Sequence, residues 1–270
     1  MSNTYKALTI AGSDSGGGAG IQADIKTFQE LGVFGMSALT AVTAQNTLGV
    51  QGVYPLPVEA VKQQIQSIGE DLGADAVKTG MLFSGEIIQA VAEIIQQFEL
   101  KNLVVDPVMI AKGGASLLRD EAVSALKQHL IPLATVITPN IPEAEVLAGM
   151  TIRTMTDKQQ AAKKLLALGA KYVVIKGGHS TDSDGAIDML YDGQEFTYYK
   201  GMRINTDNTH GTGCTFSAAI AAELAKGKGV KKAVQVAKEF IQAAIEEDMG
   251  IGHGHGPTNH WAYQKRKLGV

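Results

Sequence analysis

Short apolar runs alternate along the chain with longer stretches in which apolar residues return every three to four positions. Ala7-Leu8-Thr9-Ile10-Ala11 reads as a buried strand, and Ile21, Ile25, Phe28 and Leu31 then recur at helical spacing. The pattern continues with a strand over 37–42, a helix over 58–72 opened by Pro57, a strand over 74–77 and a helix over 87–98. A strand over 103–105, a helix over 121–130, a strand over 135–137, a helix over 161–168 and a strand over 172–175 follow. Segments 187–191 and 195–199 meet at Asp192-Gly193, a hairpin signal. Helices over 215–225 and 231–247 close the pattern. Continuous apolar strands between amphipathic helices predict an α/β fold: a mostly parallel central sheet, helices on both faces, and a hairpin at one edge.

The polar residues just past each apolar run carry the chemistry. They are Gly12-Ser13-Asp14-Ser15-Gly16, Gln45-Asn46-Thr47, Lys78-Thr79-Gly80, Asp106-Pro107, Thr138-Pro139-Asn140 and Lys176-Gly177-Gly178-His179. Turn chemistry favours such residues at any single strand end. Ligands of open parallel sheets bind outside the carboxyl ends of the strands, so six motifs on that edge describe one shared site.

Composition narrows the classes. No Pro/Ser-rich linker or charge block divides the 270 residues, so one domain over 1–270 is expected. Lys and Arg number 24 against 27 Asp and Glu, a net charge of −3, which argues against a nucleic-acid binder. No stretch reaches the ~18 apolar residues of a membrane helix, and the first apolar run is too short for a signal peptide. The single cysteine, Cys214, fits a reducing compartment. A cytoplasmic protein without membrane or nucleic-acid partners is expected. Glycine is abundant, 31 of 270 residues, against a usual ~7%.

Gly18-Ala19-Gly20-Ile21-Gln22-Ala23 follows a strand and enters a helix in the dinucleotide pattern G-x-G-x-x-[GA]. That pattern also requires an acidic residue about 20 positions later. No Asp or Glu lies between Glu30 and Glu59, so the loop is expected to serve close approach of a small ligand instead. Val77 precedes Lys78-Thr79 where a Walker A loop needs glycine.

Gly211-Thr212-Gly213-Cys214 leads into the small-residue stretch Thr215-Phe216-Ser217-Ala218-Ala219. Such a turn exposes backbone N–H groups at a positive helix end, an anion hole. The dipole there should lower the Cys214 thiol pKa, although free cysteine also serves as a small buried hydrophobe. Lys176-Gly177-Gly178 admits a phosphate closely and supplies an ammonium. Asp106 follows Leu103-Val104-Val105, and a buried carboxylate there needs a partner such as Mg²⁺. Glu143, in Asn140-Ile141-Pro142-Glu143, could join that site or stabilise a helix N-terminus. Gly252-His253-Gly254-His255-Gly256, with His260, lacks acidic or cysteine ligands and is expected to be a flexible loop rather than a metal site.

In combination these stretches closely resemble the hydroxymethylpyrimidine kinase/phosphomethylpyrimidine kinase group of the ribokinase superfamily. The resemblance runs end to end, from Ala11–Asp24 through Ala44-Gln45-Asn46-Thr47, Lys78-Thr79-Gly80-Met81, Asp106-Pro107-Val108-Met109 and Thr138–Ala144 to Lys176–His179 and Thr209–Thr215. It implies a ribokinase-like three-layer α/β/α fold, ATP as phosphoryl donor and Mg²⁺. It also implies phosphorylation of 4-amino-5-hydroxymethyl-2-methylpyrimidine, then of its monophosphate, for thiamine synthesis. By the same resemblance Gln45 and Asp24 bind the pyrimidine, and Gly12, Ala19, Met81 and Val108 line its pocket. Asn140, Glu143, Lys176, Gly178 and Thr212 fall on the triphosphate side, with Asp106 and Glu143 near magnesium. Gly211, Thr212 and Gly213 match the anion hole and Cys214 the base, where most of the superfamily carries aspartate. A primary alcohol is a poor nucleophile, so a thiolate would take its proton during attack.

Two other readings stay open. A branch of the same group phosphorylates pyridoxal; it lacks the Ala44–Thr47 match and commonly has cysteine at the position of Ala111. A catalytically silent small-molecule sensor could reuse the pocket, but would have no use for Cys214, Lys176 and Asp106 together. The resemblance leaves a homodimer open.

Overall fold

The apolar runs become strands numbered along the chain: β1 (Lys6–Ala11), β2 (Phe34–Leu39), β3 (Ala41–Asn46), β4 (Gly49–Pro55), β5 (Ala76–Thr79), β6 (Leu103–Val105), β7 (Val136–Ile137), β8 (Tyr172–Ile175), β9 (Ala186–Tyr191) and β10 (Phe196–Gly201). Eight of them form one sheet in the order β10-β9-β8-β7-β6-β5-β1-β2, parallel except for β9. The computed structural model describes residues 4–109, 120–178 and 186–269. Ala111 and His179 lie outside the described residues.

Successive strand residues face opposite layers, which is why the runs are apolar throughout. Leu103 and Val105 join the cluster beneath α2 (Val58–Asp71), α3 (Gly85–Gln97), α4 (Asp120–Ala125), α5 (Ile141–Ala148) and α6 (Met155–Leu166). Val104 joins the opposite cluster, beneath α1 (Gly20–Glu30), α7 (Thr212–Ala225), α8 (Val230–Glu246) and α9 (Ala262–Leu268). The result is the expected three-layer α/β/α arrangement, with β9 and β10 as the edge hairpin. Every residue of α7 from Thr215 to Ala225 is buried. Its alanines let it lie close across β1, β5 and β6, which aims its first turn at the carboxyl edge of the sheet.

Three departures matter for the site. The strand expected over 37–42 is two strands: the chain leaves the main sheet at Thr40, whose N–H donates to the Ala11 carbonyl at 3.0 Å. Beyond it β3 and β4 form a separate antiparallel pair, so Gln45 stands on a hairpin overhanging the sheet edge rather than on a main-sheet strand end. The helix expected over 121–130 is α4 followed by one π turn and a short 3₁₀ turn at Pro132. The 252–256 run is bonded to the hairpin rather than loose. Among the described residues no helix is long and apolar enough to cross a membrane.

Candidate active site

Strand β6 ends at Asp106, which is 2% exposed. Lys176, just past β8, donates to its Oδ1 at 2.8 Å, Thr138 adds a 3.2 Å bond, and Ser217 of α7 reaches Oδ2 at 3.3 Å. Burial opposes both charges, but each outweighs that cost for the other, so Asp106 is held below and Lys176 above its ordinary range. Gly213 stands over this pair: a Cβ there would lie 3.4 Å from Lys176 Nζ and 3.6 Å from Asp106 Oδ2. A helix N-terminus, an ammonium and a carboxylate therefore meet at one point.

Glu143 takes the helix-capping position expected as one of its two alternatives. It forms a capping box with Asn140 at the start of α5, with reciprocal bonds of 2.8 and 2.9 Å. It also faces Lys176 and Asp106, and burial, with Asp106 nearby, pushes its carboxyl up to about 7 against the pull of Lys176. Among the described residues no atom outside its chain neighbours lies within 4 Å of where a Cβ on Gly178 would stand. Gly211 caps α7 in the left-handed region at φ 83°, and a Cβ there would overlap the Gly18 carbonyl. The two glycine-rich turns are thereby pressed together.

Among the residues expected to line the pyrimidine pocket, the structure brings Gly12 and Met81 into contact, since a Cβ at Gly12 would overlap the Met81 methyl. Ala19 caps α1, and Val108 stands half-buried two residues past Asp106. Asp14 organises the turn between them. Its carboxylate accepts from the N–H groups of Gly16, Gly18 and Ala19 at 2.8–3.0 Å and from His210 Nε2 at 2.8 Å. Burial opposes the Asp14 charge, but these donors hold it below the usual range. The chain's own carboxylate occupies the amides that a dinucleotide phosphate would need, which agrees with the missing ribose partner. Gln45 stands beside this group, its Nε2 3.4 Å from His210 Nε2 and its Oε1 3.2 Å from the Thr43 hydroxyl.

Asp24 is placed differently from the other acceptor-side residues. It is fully buried, and its oxygens accept from Lys78 Nζ at 2.8 and 3.0 Å and from the Thr9 hydroxyl at 2.6 Å. In this arrangement no Asp24 atom is open to a ligand. Burial raises its carboxyl, and Lys78, which Asp24, Cys214 and Asp106 surround, is held above its ordinary range despite burial.

Cys214 departs from expectation. Its thiol is not lowered by the helix end; burial, with Asp24 and Asp106 nearby, pushes it up to about 11, against the pull of Lys78 and the Gly20 N–H. Gly211 to Cys214 are only partly buried, but around the thiol itself desolvation and the two carboxylates outweigh the dipole.

Sequence reading assigned no role to Asp14, His210, Lys78, Thr9 or Ser217. Two signals were available. Lys78 interrupts the apolar run Ala76-Val77, and Asp24 lies on the same helical stripe as Ile21 and Phe28. Charges in two buried stripes call for each other. Asp14 and His210, in turns 196 residues apart, carried no such signal.

The model of the family described as phosphomethylpyrimidine kinase matches residues 14–259. The hydroxymethylpyrimidine/phosphomethylpyrimidine kinase of Bacillus subtilis is 59% identical over 98% of this chain and 97% of its own length. The kinase of the same name from Haemophilus influenzae is 57% identical over 98% of this chain and 100% of its own. The solved structure of an ADP complex of Bacillus subtilis pyridoxal kinase is 49% identical, covers 97% of this chain and 99% of its own, and superposes with a TM-score of 0.89. On that match and these identities, the chain belongs to the phosphomethylpyrimidine kinase family.

Proposed function

We propose that the chain is an ATP-dependent kinase that phosphorylates the hydroxymethyl group of 4-amino-5-hydroxymethyl-2-methylpyrimidine and then the resulting monophosphate, supplying the diphosphate for thiamine synthesis. The observation that carries this reading is the meeting of Gly213, Lys176 and Asp106 at one point. Phosphoryl transfer asks a protein for in-line positioning and charge neutralisation rather than covalent chemistry. Lys176 and the N–H groups of Gly211, Thr212 and Gly213 supply both. Asn140, Glu143 and Gly178 serve the triphosphate side. Asp106, bonded to Lys176, and Glu143, a buried carboxyl that feels both of them, suit a Mg²⁺ held jointly by protein, phosphate and water. When bound, that ion offsets phosphate charge.

Gln45 reads the pyrimidine, with Gly12, Ala19, Met81 and Val108 around the ring. Asp24 contributes through Lys78, which it keeps charged beside Cys214. Cys214, as a thiolate that has first given its own proton to solvent, takes the proton of the attacking hydroxyl; its raised pKa makes the thiol the resting form. Activity should therefore grow with the thiolate fraction as the pH rises. The same reading takes the chain as one cytoplasmic kinase domain over 1–270, able to pair as a homodimer.

Pyridoxal is the second reading, favoured by the 49% identity to a pyridoxal kinase. Ala44-Gln45-Asn46-Thr47 favours the pyrimidine over it. The intact pair of Lys176 and Asp106 argues against a silent sensor. Purified protein given ATP, Mg²⁺ and the pyrimidine alcohol should release ADP in two successive steps and end at the diphosphate, followed by phosphorus NMR. No acceptor-dependent ADP release would overturn the kinase reading.

A further inference from the structure

Alternate glycines of the 252–256 run face atoms that leave no room for a side chain. A Cβ at Gly252 would overlap the Thr47 side chain, one at Gly254 the Thr47 carbonyl, and one at Gly256 the Asn208 side chain. Gly252 also has φ +81°, whereas Gly254 and Gly256 are not in the left-handed region, so glycine is required at those two for space alone. The backbone is tied as well. His255 N–H donates to the Thr47 carbonyl at 2.9 Å, and the N–H groups of His253 and Gly254 approach the Thr47 hydroxyl at 3.2 and 3.3 Å.

The next residues take hold of His210. Its N–H donates to the Gly256 carbonyl at 3.1 Å, its carbonyl accepts from Thr258 N–H at 3.3 Å, and Pro257 pairs with it as an isolated parallel bridge. His253 and His255 are themselves exposed. The run thus works through its backbone and its missing side chains, not through imidazoles.

Both anchors belong to the acceptor side. Thr47 lies two residues past Gln45 at the hairpin tip, and His210 touches Asp14 and Gln45 while adjoining Gly211. A two-stranded sheet is marginal by itself, so β3–β4 depends on external ties; the turn at Ser13 and Ser15 holds Thr43 and Gln45, and the 252–258 run holds the tip at Thr47. We propose that residues 252–258 form a strap that positions Gln45 and His210 around the acceptor, making this distant part of the chain a positioning element of the pyrimidine pocket. The inference rests on the reading that Gln45 faces the pyrimidine.

Steady-state kinetics on three variants test it. Gly254→Ala should raise KM for the pyrimidine alcohol by about tenfold, since small displacements of positioning groups are costly, while KM for ATP stays within about twofold and kcat at saturation is largely kept. Thr47→Val keeps the side-chain shape but removes the hydroxyl acceptor, and should raise the same KM a few-fold; it decides the matter if Gly254→Ala does not fold. Gln45→Ala, measured alongside, reports only on the pyrimidine reading: an unchanged KM there removes Gln45 from the pocket whatever the strap variants do. Wild-type pyrimidine KM in both strap variants would overturn the strap. So would a lowered Tm with equal rises in both KM values, the pattern of a segment that only supports the fold.

Discussion

The two halves of the site are built from different material. The phosphate side stands on the ends of β6, β7 and β8 and on the first turn of α7, elements rooted in the two buried clusters. Its groups are paired, Asp106 with Lys176 as an ion pair and Asn140 with Glu143 as a helix cap. The acceptor side stands on a glycine-rich turn, a two-stranded hairpin and the 252–258 strap. Its key groups are an amide and a histidine held by an internal carboxylate. On the proposed reading, phosphate chemistry is fixed to the rigid sheet, whereas acceptor choice lies where the chain can vary without disturbing the core. Lys78, Asp24 and Cys214 form the joint between the halves.

The comparison is broken first on the phosphate side. Lys176→Ala and Asp106→Ala should each lower kcat by on the order of 10²–10³, the usual loss when a group stabilising transition-state charge is removed. Near-normal turnover in either, at saturating ATP and Mg²⁺, would dissolve the division of labour. At the joint, Lys78→Met strands a buried carboxylate and should cost roughly 3–5 kcal/mol in urea unfolding, most of it recovered in the Lys78→Met/Asp24→Leu double variant. Equal stability of the single and double variants would show that the pair is not coupled.

Cys214 gives a finer distinction. As the proton acceptor with a thiol pushed up to about 11, it should make kcat/KM rise with pH well past the ~8.5 of an ordinary cysteine. Cys214→Ala should then lose about 10² in kcat and become flat over that range. A Cys214→Ala variant with most of its kcat would assign the work to the backbone amides.

The smallest effect concerns His260, buried against Thr215 with 3.0 Å between Nε2 and Oγ1. Burial, with Lys26 nearby, lowers its pKa from 6.5 to about 4. Between those values the unfolded chain binds the proton and the folded chain does not. This contribution to stability is therefore complete above pH 6.5 and is lost as the pH falls toward 4. About 2 kcal/mol should be gone by pH 5, and His260→Gln should flatten that slope in denaturant titrations.

Much of the sheet was legible because its strands are buried on both faces. Leu103–Val105 and Tyr172–Ile175 match their apolar runs to the residue. Legibility fails where apolarity and pairing part company. The apolar run through Thr40 does not announce that the chain changes sheets there. The half-exposed β4, with its glycines and terminal proline, shows no apolar run. Helix α5 is short with Pro142 in its first turn, and α9 carries Lys265, Arg266 and Lys267 with only Ala262 and Tyr263 buried. Within the site, strand ends pointed to the charged residues of the phosphate side. Asp14, His210 and the glycine strap act through contacts between distant turns, which no local spacing records.

The most direct test of the account is a side-by-side kinase assay of the purified protein with the pyrimidine alcohol, its monophosphate and pyridoxal at equal concentrations. The account predicts ADP release with both pyrimidines and a kcat/KM for the alcohol well above that for pyridoxal. Turnover of pyridoxal with neither pyrimidine phosphorylated would contradict it.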